Sequence, residues 1–112
     1  YNGAFTFLYP SLRESFCIPM LESMACGTPV IAGNTSAMPE IAGEGALLAD
    51  PLDENDIARK ILLLEEDDTF YQQQVDYGLE RVKLFSWRKS AEALLKIYKE
   101  IIIHKPQSRG II

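Results

Sequence analysis

Apolar residues change their spacing about halfway along this chain. Up to residue 49 they come in short blocks broken by Pro, Gly, Ser and Asp, whereas from Ile57 onward they recur three and four positions apart. Short blocks of this kind predict buried strands, and the wider period predicts amphipathic helices. The first predicted strand is Ala4–Tyr9, aromatic and apolar and closed by Pro10 and Ser11. After a loop at 11–17, an almost wholly apolar helix is expected from about Ile18. Pro19 sits at or near its first position, Gly27 is its C′ residue, and Pro29 blocks continuation. Pro29–Gly33 and Ala46–Ala49 are the second and third predicted strands, separated by a polar turn at 34–36 and a single helical turn at 37–42.

Helices follow. Asp53 is placed to cap one whose Ile57, Ala58, Ile61, Leu62 and Leu64 share a face. A second is expected over roughly Thr69 to Leu84, with Tyr71, Val75, Leu79 and Val82 in register and Gly78 as a weak point. Ser86 is placed to cap a third, whose Trp87, Ala91, Leu94, Leu95, Tyr98, Ile101 and Ile102 form an apolar stripe. The stripe is expected to pack on the sheet; the alternative is a partner-binding face. Residues 1–104 thus read as one piece of folded domain and 105–112 as a disordered tail. Strands alternating with helices argue for an α/β, Rossmann-like parallel sheet with flanking helices. In such sheets ligands bind beyond the carboxyl ends of the strands, here the segments 11–17 and 33–36.

Composition narrows the class. An apolar fraction of 47% without low-complexity tracts indicates a globular chain, and 112 residues allow one domain at most. No apolar run is long enough to span a membrane and no signal peptide opens the chain, so a cytoplasmic setting is expected. Cys17 and Cys26 have neither the density of a disulfide scaffold nor zinc-site spacing, and are read as reduced and structural. The net charge of −5 conceals a gradient: residues 1–80 sum to −11 and residues 81–112 to +6. The basic C-terminal segment reads as the solvated face of a packed helix. Its alternative is contact with anionic lipid at the inner membrane face or with an acidic partner. No nucleic-acid partner is implied, and His104, the only histidine, is given no catalytic role.

The stretch from Glu14 to Glu22 carries the candidate chemistry: two carboxylates with seven residues between them flank a loop and a helix start. A helix N-terminus offers free N–H groups and about half a positive charge. Ser15, Phe16, Cys17 and Ile18 could therefore cradle a diphosphate. No Gly-Lys-Ser/Thr follows and no G-x-G-x-x-G occurs, so neither a P-loop nor the usual dinucleotide fingerprint is present. Glu14 would repel an adjacent phosphate, and suits neutral hydroxyls or positive charge developing on a sugar ring. Glu22, expected in the first turn of a buried-type helix, needs a partner. Sugar hydroxyls would serve, as would water or a lysine. A phosphate in the middle with a hydroxylated ring at each end fits a nucleotide sugar.

The run from Tyr9 to Ala32 resembles the E-x7-E region of family 4 (group 1) glycosyltransferases, which have the GT-B fold. The likeness continues through Met38-Pro39-Glu40, Ala42-Gly43, Leu48 to Pro51 and Phe85-Ser86-Trp87, stopping near Ile103. It implies a retaining, metal-independent hexosyltransferase without a cofactor, acting in carbohydrate biosynthesis on a UDP-, GDP- or ADP-sugar. By the resemblance, Glu14 is the catalytic carboxylate at the donor sugar and Glu22 holds the ribose hydroxyls. Ser15, Phe16, Cys17 and Ile18 bind the donor, the amides of the last three meeting sugar and phosphates. The turn 34–36 lines the crevice less specifically.

Family members commonly have glycine where Ser15 and Cys17 stand, so a stiffer loop or a differently seated sugar is expected. Arg13 matches no family signature and reads as a solvated loop residue. The likeness covers only the second half of the second GT-B domain. A sugar, lipid or polysaccharide acceptor would bind a first domain lying outside it, and the chain alone is expected to be inert. Two other readings are a GT-B relative with a different sugar-nucleotide reaction and a non-enzymatic interaction module.

Overall fold

A computed structural model describes residues 1–104. Strands β1 (Phe7–Tyr9), β2 (Val30–Gly33) and β3 (Leu47–Ala49) form a parallel sheet in the order β1-β2-β3, and helices α1 (Ile18–Ala25) and α2 (Met38–Ala42) make the two crossovers. The register pairs Phe7 with Val30 and Ile31 with Leu47. Helices α3 (Glu54–Glu66), α4 (Asp68–Val82) and α5 (Trp87–His104) follow. The expected parallel α/β sheet is therefore present.

Alternation along β2 builds two cores from one strand. Val30 and Ala32 face Met20, Leu21, Met24, Met38 and Ile41 of α1 and α2. Ile31 points the other way, into a smaller cluster with Ala49 and Leu64, edged by Ile57, Ile61 and Phe70. Buried on both faces, β2 is the central strand of a layered α/β unit. β1 is covered on one side only: Phe7 and Tyr9 edge the larger core, whereas Leu8 is 43% exposed.

Local chemistry explains the helix ends. Asp53 accepts from the N–H groups of Asn55 and Asp56 at 3.0 and 3.2 Å, the expected cap. Ser86 accepts from Lys89 N–H at 3.0 Å, and Gly27, at φ +73°, ends α1 as the C′ residue. Asp67, not predicted as a cap, accepts from Phe70 N–H and opens α4. β1 starts three residues later than expected, because its ladder begins where β2 does, just past Pro29. Gly78 is no weak point. It is buried against Met24, whose Cγ would lie 3.3 Å from an added Cβ, and it lets α1 and α4 cross closely.

The last helix departs most from expectation. None of its residues is buried, Trp87 is 83% exposed and Ile102 69%, so the stripe does not pack on the sheet. Its period was sufficient to define an apolar face but not what covers it. No described helix is long and apolar enough to cross a membrane.

Two outcomes follow. β1 has no partner on its outer edge among the described residues, and bare edges invite pairing between chains. Light scattering on the isolated chain should show dimers or larger species as concentration rises; a monodisperse monomer at high concentration would contradict this. Gln74 is buried, and its Oε1 has no hydrogen-bond partner among the described residues. Gln74→Met, close in shape, should stabilise the fold by about 1 kcal/mol in urea unfolding, because it removes an unsatisfied acceptor.

Candidate functional site

Parallel pairing brings the carboxyl ends of β1 and β2 side by side, and the loops leaving them are bound to each other. Ser36 Oγ accepts from Glu14 N–H at 3.1 Å and donates to the Glu14 carbonyl at 2.6 Å. Ala37 N–H donates to the same carbonyl at 3.3 Å. Thr35 Oγ1 lies 3.3 and 3.2 Å from the carbonyls of Ser11 and Leu12. The loops meet so closely at Gly33 that an added Cβ would sit 2.7 Å from the Ser11 carbonyl oxygen. Cys17 and Ser36 are the non-glycine residues with positive φ among the described residues, at 67° and 59°. Each belongs to one of these loops. A side chain in this region costs about 1–3 kcal/mol and persists where surrounding structure fixes it, often at functional sites.

Glu14 is half-buried and held in place. Tyr9, at the end of β1, donates its hydroxyl to Glu14 Oε1 at 2.7 Å, with Ser11 Oγ a looser neighbour at 3.4 Å. That hydrogen bond, with partial desolvation and the charge of the carboxylate, pushes the Tyr9 phenol up to about 12. A raised folded-state value means that the proton favours the folded state at every pH below the ordinary phenol value near 10. The contribution is lost as pH rises through 12. Across neutral pH Tyr9 is a fixed donor that orients the Glu14 side chain.

The turn into α1 is built by Cys17. Its side chain is 4% exposed, its backbone is left-handed, and it precedes a helix whose second residue is Pro19. No side chain caps α1 among the described residues; Pro19 has no N–H and the Met20 N–H donates to the Cys17 carbonyl at 3.2 Å, which leaves the Ile18 N–H of the first turn to other acceptors. Burial pushes the Cys17 thiol up, with the Met20 N–H opposing, so the thiol stays protonated and is a poor nucleophile. Both cysteines are free, Cys17 buried and Cys26 exposed. Of the departures from glycine noted above, only Cys17 occupies a conformation that favours glycine; Ser15 does not. Phe16 and Ile18 flank the turn with 41% and 43% of their surface exposed, and Ser15 is exposed beside them.

Glu22 differs from expectation in its place along α1, while its exposure matches the water-facing alternative. The first turn of α1 contains no acidic residue; Glu22 lies one turn further on and is exposed, where its carboxylate accepts from the Tyr1 hydroxyl at 2.8 Å. It therefore needs no compensation for burial. Arg13 is exposed, as expected, and His104 ends α5 in solvent. Among the described residues no group of three His, Cys, Asp or Glu side chains gathers as metal ligands would. Surface hollows of about 370 and 590 Å³ lie along the outer faces of α3 and α4, away from these loops.

Three contributors were not evident from sequence. Tyr9 reads there as a strand residue, and Ser36 as a turn serine; their partners lie 5 and 22 positions away. Arg81 donates from Nε to the Ile41 carbonyl at 2.9 Å and from Nη2 to the Glu40 carbonyl at 2.7 Å. These bonds close the end of α2 from α4. Only the long helical period of α4 hinted that one of its faces would meet the sheet layer.

Comparison with known proteins matches this arrangement to a family. The profile described as glycosyl transferases group 1 matches residues 1–81. O-antigen chain mannosyltransferase B of Escherichia coli is 39% identical over 99 residues, covering 88% of this chain and 26% of that protein. D-inositol 3-phosphate glycosyltransferase of Corynebacterium jeikeium is 39% identical over 103 residues, covering 90% of this chain and 25% of that protein. The chain thus spans about a quarter of the length of these relatives. Among solved structures, sucrose-phosphate synthase from Thermosynechococcus elongatus matches with a TM-score of 0.79 at 32% identity, over 89% of this chain and 26% of that one. The profile takes in the sheet, both loops at its carboxyl edge and α1, and the chain belongs to the group 1 glycosyl transferases.

Proposed function

We propose that this chain is the nucleotide-sugar-binding part of a retaining, metal-independent GT-B glycosyltransferase. The observation that carries the reading is Glu14: a carboxylate oriented by Tyr9, in a loop bound to the neighbouring loop, directly ahead of the uncapped start of α1. The diphosphate of a UDP-, GDP- or ADP-sugar sits at that helix start, where the N–H groups of Phe16, Cys17 and Ile18 and the helix dipole favour anions. Ser15, Phe16, Cys17 and Ile18 line it. Glu22 takes the ribose hydroxyls, exchanging the Tyr1 hydroxyl for the ligand's.

Glu14 faces the donor sugar. As the bond from the anomeric carbon to the diphosphate breaks, positive charge builds on the ring, and a fixed carboxylate stabilises it. The new bond from that carbon to the acceptor oxygen forms on the face the diphosphate leaves, and the acceptor hydroxyl's proton passes to the departing diphosphate oxygen. The acceptor is a sugar, lipid or polysaccharide held by a part of the protein outside this chain. Relatives named as a mannosyltransferase and an inositol phosphate glycosyltransferase support the reaction class. Their different named substrates leave the base and the sugar to experiment. A cytoplasmic setting, with the basic C-terminal segment near the inner membrane face, fits the same reading.

The direct test is an amide NMR titration with UDP, GDP and ADP and their sugar conjugates. Shifts confined to Phe16–Ile18 and Glu22 with one nucleotide series would place the donor and name its base. Absence of binding by both this chain and the intact natural protein would refute the reading. In the intact protein, Glu14→Gln should lower kcat about 10²–10³-fold with little change in donor affinity. Glu22→Gln should instead weaken donor binding about tenfold.

Tyr9→Phe removes the hydroxyl that orients Glu14. It should lower kcat roughly 10-fold or more with the donor KM nearly unchanged. An unchanged kcat would show that Glu14 does not depend on Tyr9.

A further inference from the structure

Between Glu14, whose backbone is bound to Ser36, and Cys17, whose side chain is buried, the donor loop consists of two exposed residues, Ser15 and Phe16. Phe16 is nonetheless not free. Its ring meets Phe85 edge to face, with centroids 5.8 Å apart and planes at 87°. Phe85 lies in the turn that ends α4, where its N–H donates to the Val82 carbonyl at 3.1 Å. Its face is covered by the Arg81 guanidinium, 5.2 Å from the ring centroid.

Arg81 is in turn fixed by its two hydrogen bonds to the Ile41 and Glu40 carbonyls at the end of α2. The start of α2 is bound to Glu14, through Ser36 and the Ala37 N–H. The contacts close a ring: donor loop, α2, Arg81, Phe85 and back to the donor loop. Two glycines make room for it. An added Cβ at Gly43 would lie 2.9 Å from Arg81 Cζ, and one at Gly45 2.7 Å from Arg81 Cβ.

We propose that Arg81 and Phe85 are positioning residues for donor binding. Arg81 orients the Phe85 ring, and Phe85 braces Phe16 so that the 15–18 backbone keeps the geometry in which its N–H groups meet the donor. Neither residue touches the donor. The inference rests on loop 14–18 being the donor site and adds a role for the end of α4, which lies outside the E-x7-E segment. A purely structural Phe85 would fill the margin of the larger core, where it also sits. Its loss would then lower stability without changing the loop.

The test uses the intact natural protein and reads three quantities together: hydrogen exchange of the Ser15, Phe16, Cys17 and Ile18 amides where present, dissociation constant of the nucleotide that the wild type binds, and melting temperature. Phe85→Leu should speed exchange at these amides and weaken nucleotide binding about three- to tenfold, the range of one edge-to-face aromatic contact. Phe85→Tyr, which keeps the ring, should restore both. Arg81→Lys, which loses the planar fork, should act like Phe85→Leu. Phe16→Leu removes the contact from the exposed side and serves if Phe85→Leu does not fold. The double variant should be no weaker than either single one, because both remove the same contact.

If the wild type binds nucleotide and Phe85→Leu or Phe16→Leu changes neither exchange nor affinity, the positioning role is overturned while the donor site stands. Additive effects of the two variants overturn it as well. If the wild type binds no nucleotide, the donor-site reading fails, and this inference fails with it.

Discussion

One serine hydroxyl holds the carboxyl edge of the sheet together. Ser36 Oγ accepts from the N–H of Glu14 and donates to its carbonyl, so a single side chain satisfies both backbone groups of Glu14. To do so Ser36 adopts φ 59°. That conformation costs a non-glycine residue about 1–3 kcal/mol. Two hydrogen bonds at about 1 kcal/mol each offset a cost of that size. The bond between loops also converts adjacency of strands into a site. Parallel pairing alone brings the two loops close, whereas the hydroxyl fixes how Glu14 faces the space beyond them.

Support behind the edge comes from helices rather than from the sheet. α1 is buried through Met20, Leu21 and Met24, and α4 crosses it closely at Gly78. Met20 and Met24 are flexible, polarisable side chains that fill irregular gaps. A rigid carboxyl edge thus rests on an adaptable core, and the loops keep their geometry through hydrogen bonds and aromatic contacts rather than through tight β-branched packing. α5 stands outside this arrangement, with no buried residue and an apolar face open along its length. A radius of gyration of 18.7 Å, against about 13 Å for a compact chain of this size, has the same origin.

Much of the fold was legible in the sequence because its signals are local. Asp53, Ser86 and Gly27 act on backbone groups within four residues, so their roles can be read without knowing the fold. Short apolar blocks between Pro and Gly located β1, β2 and β3, and the carboxyl-end rule located the loops. What failed was relational. The α5 stripe specifies an apolar face but not its neighbour. Glu22 was placed one turn too early in its helix, and nothing local decided between a ligand partner and the solvent it faces. Tyr9, Ser36 and Arg81 find their partners through topology, and Arg81 reaches back 40 positions. No window of sequence contains such a pair.

Gly33 has a consequence for how this site tolerates change. Glu14 can be exchanged for its amide with nearly the same outline, and glycine at position 17 would relieve the left-handed backbone while giving up a buried side chain. At position 33 every alternative begins with a Cβ, and the Ser11 carbonyl already occupies the space within 2.7 Å of it. A position closed to drift is thus one that has no side chain to offer a ligand. Around this crevice, sequence freedom is governed first by where two backbones touch, and only then by the groups that would meet a ligand.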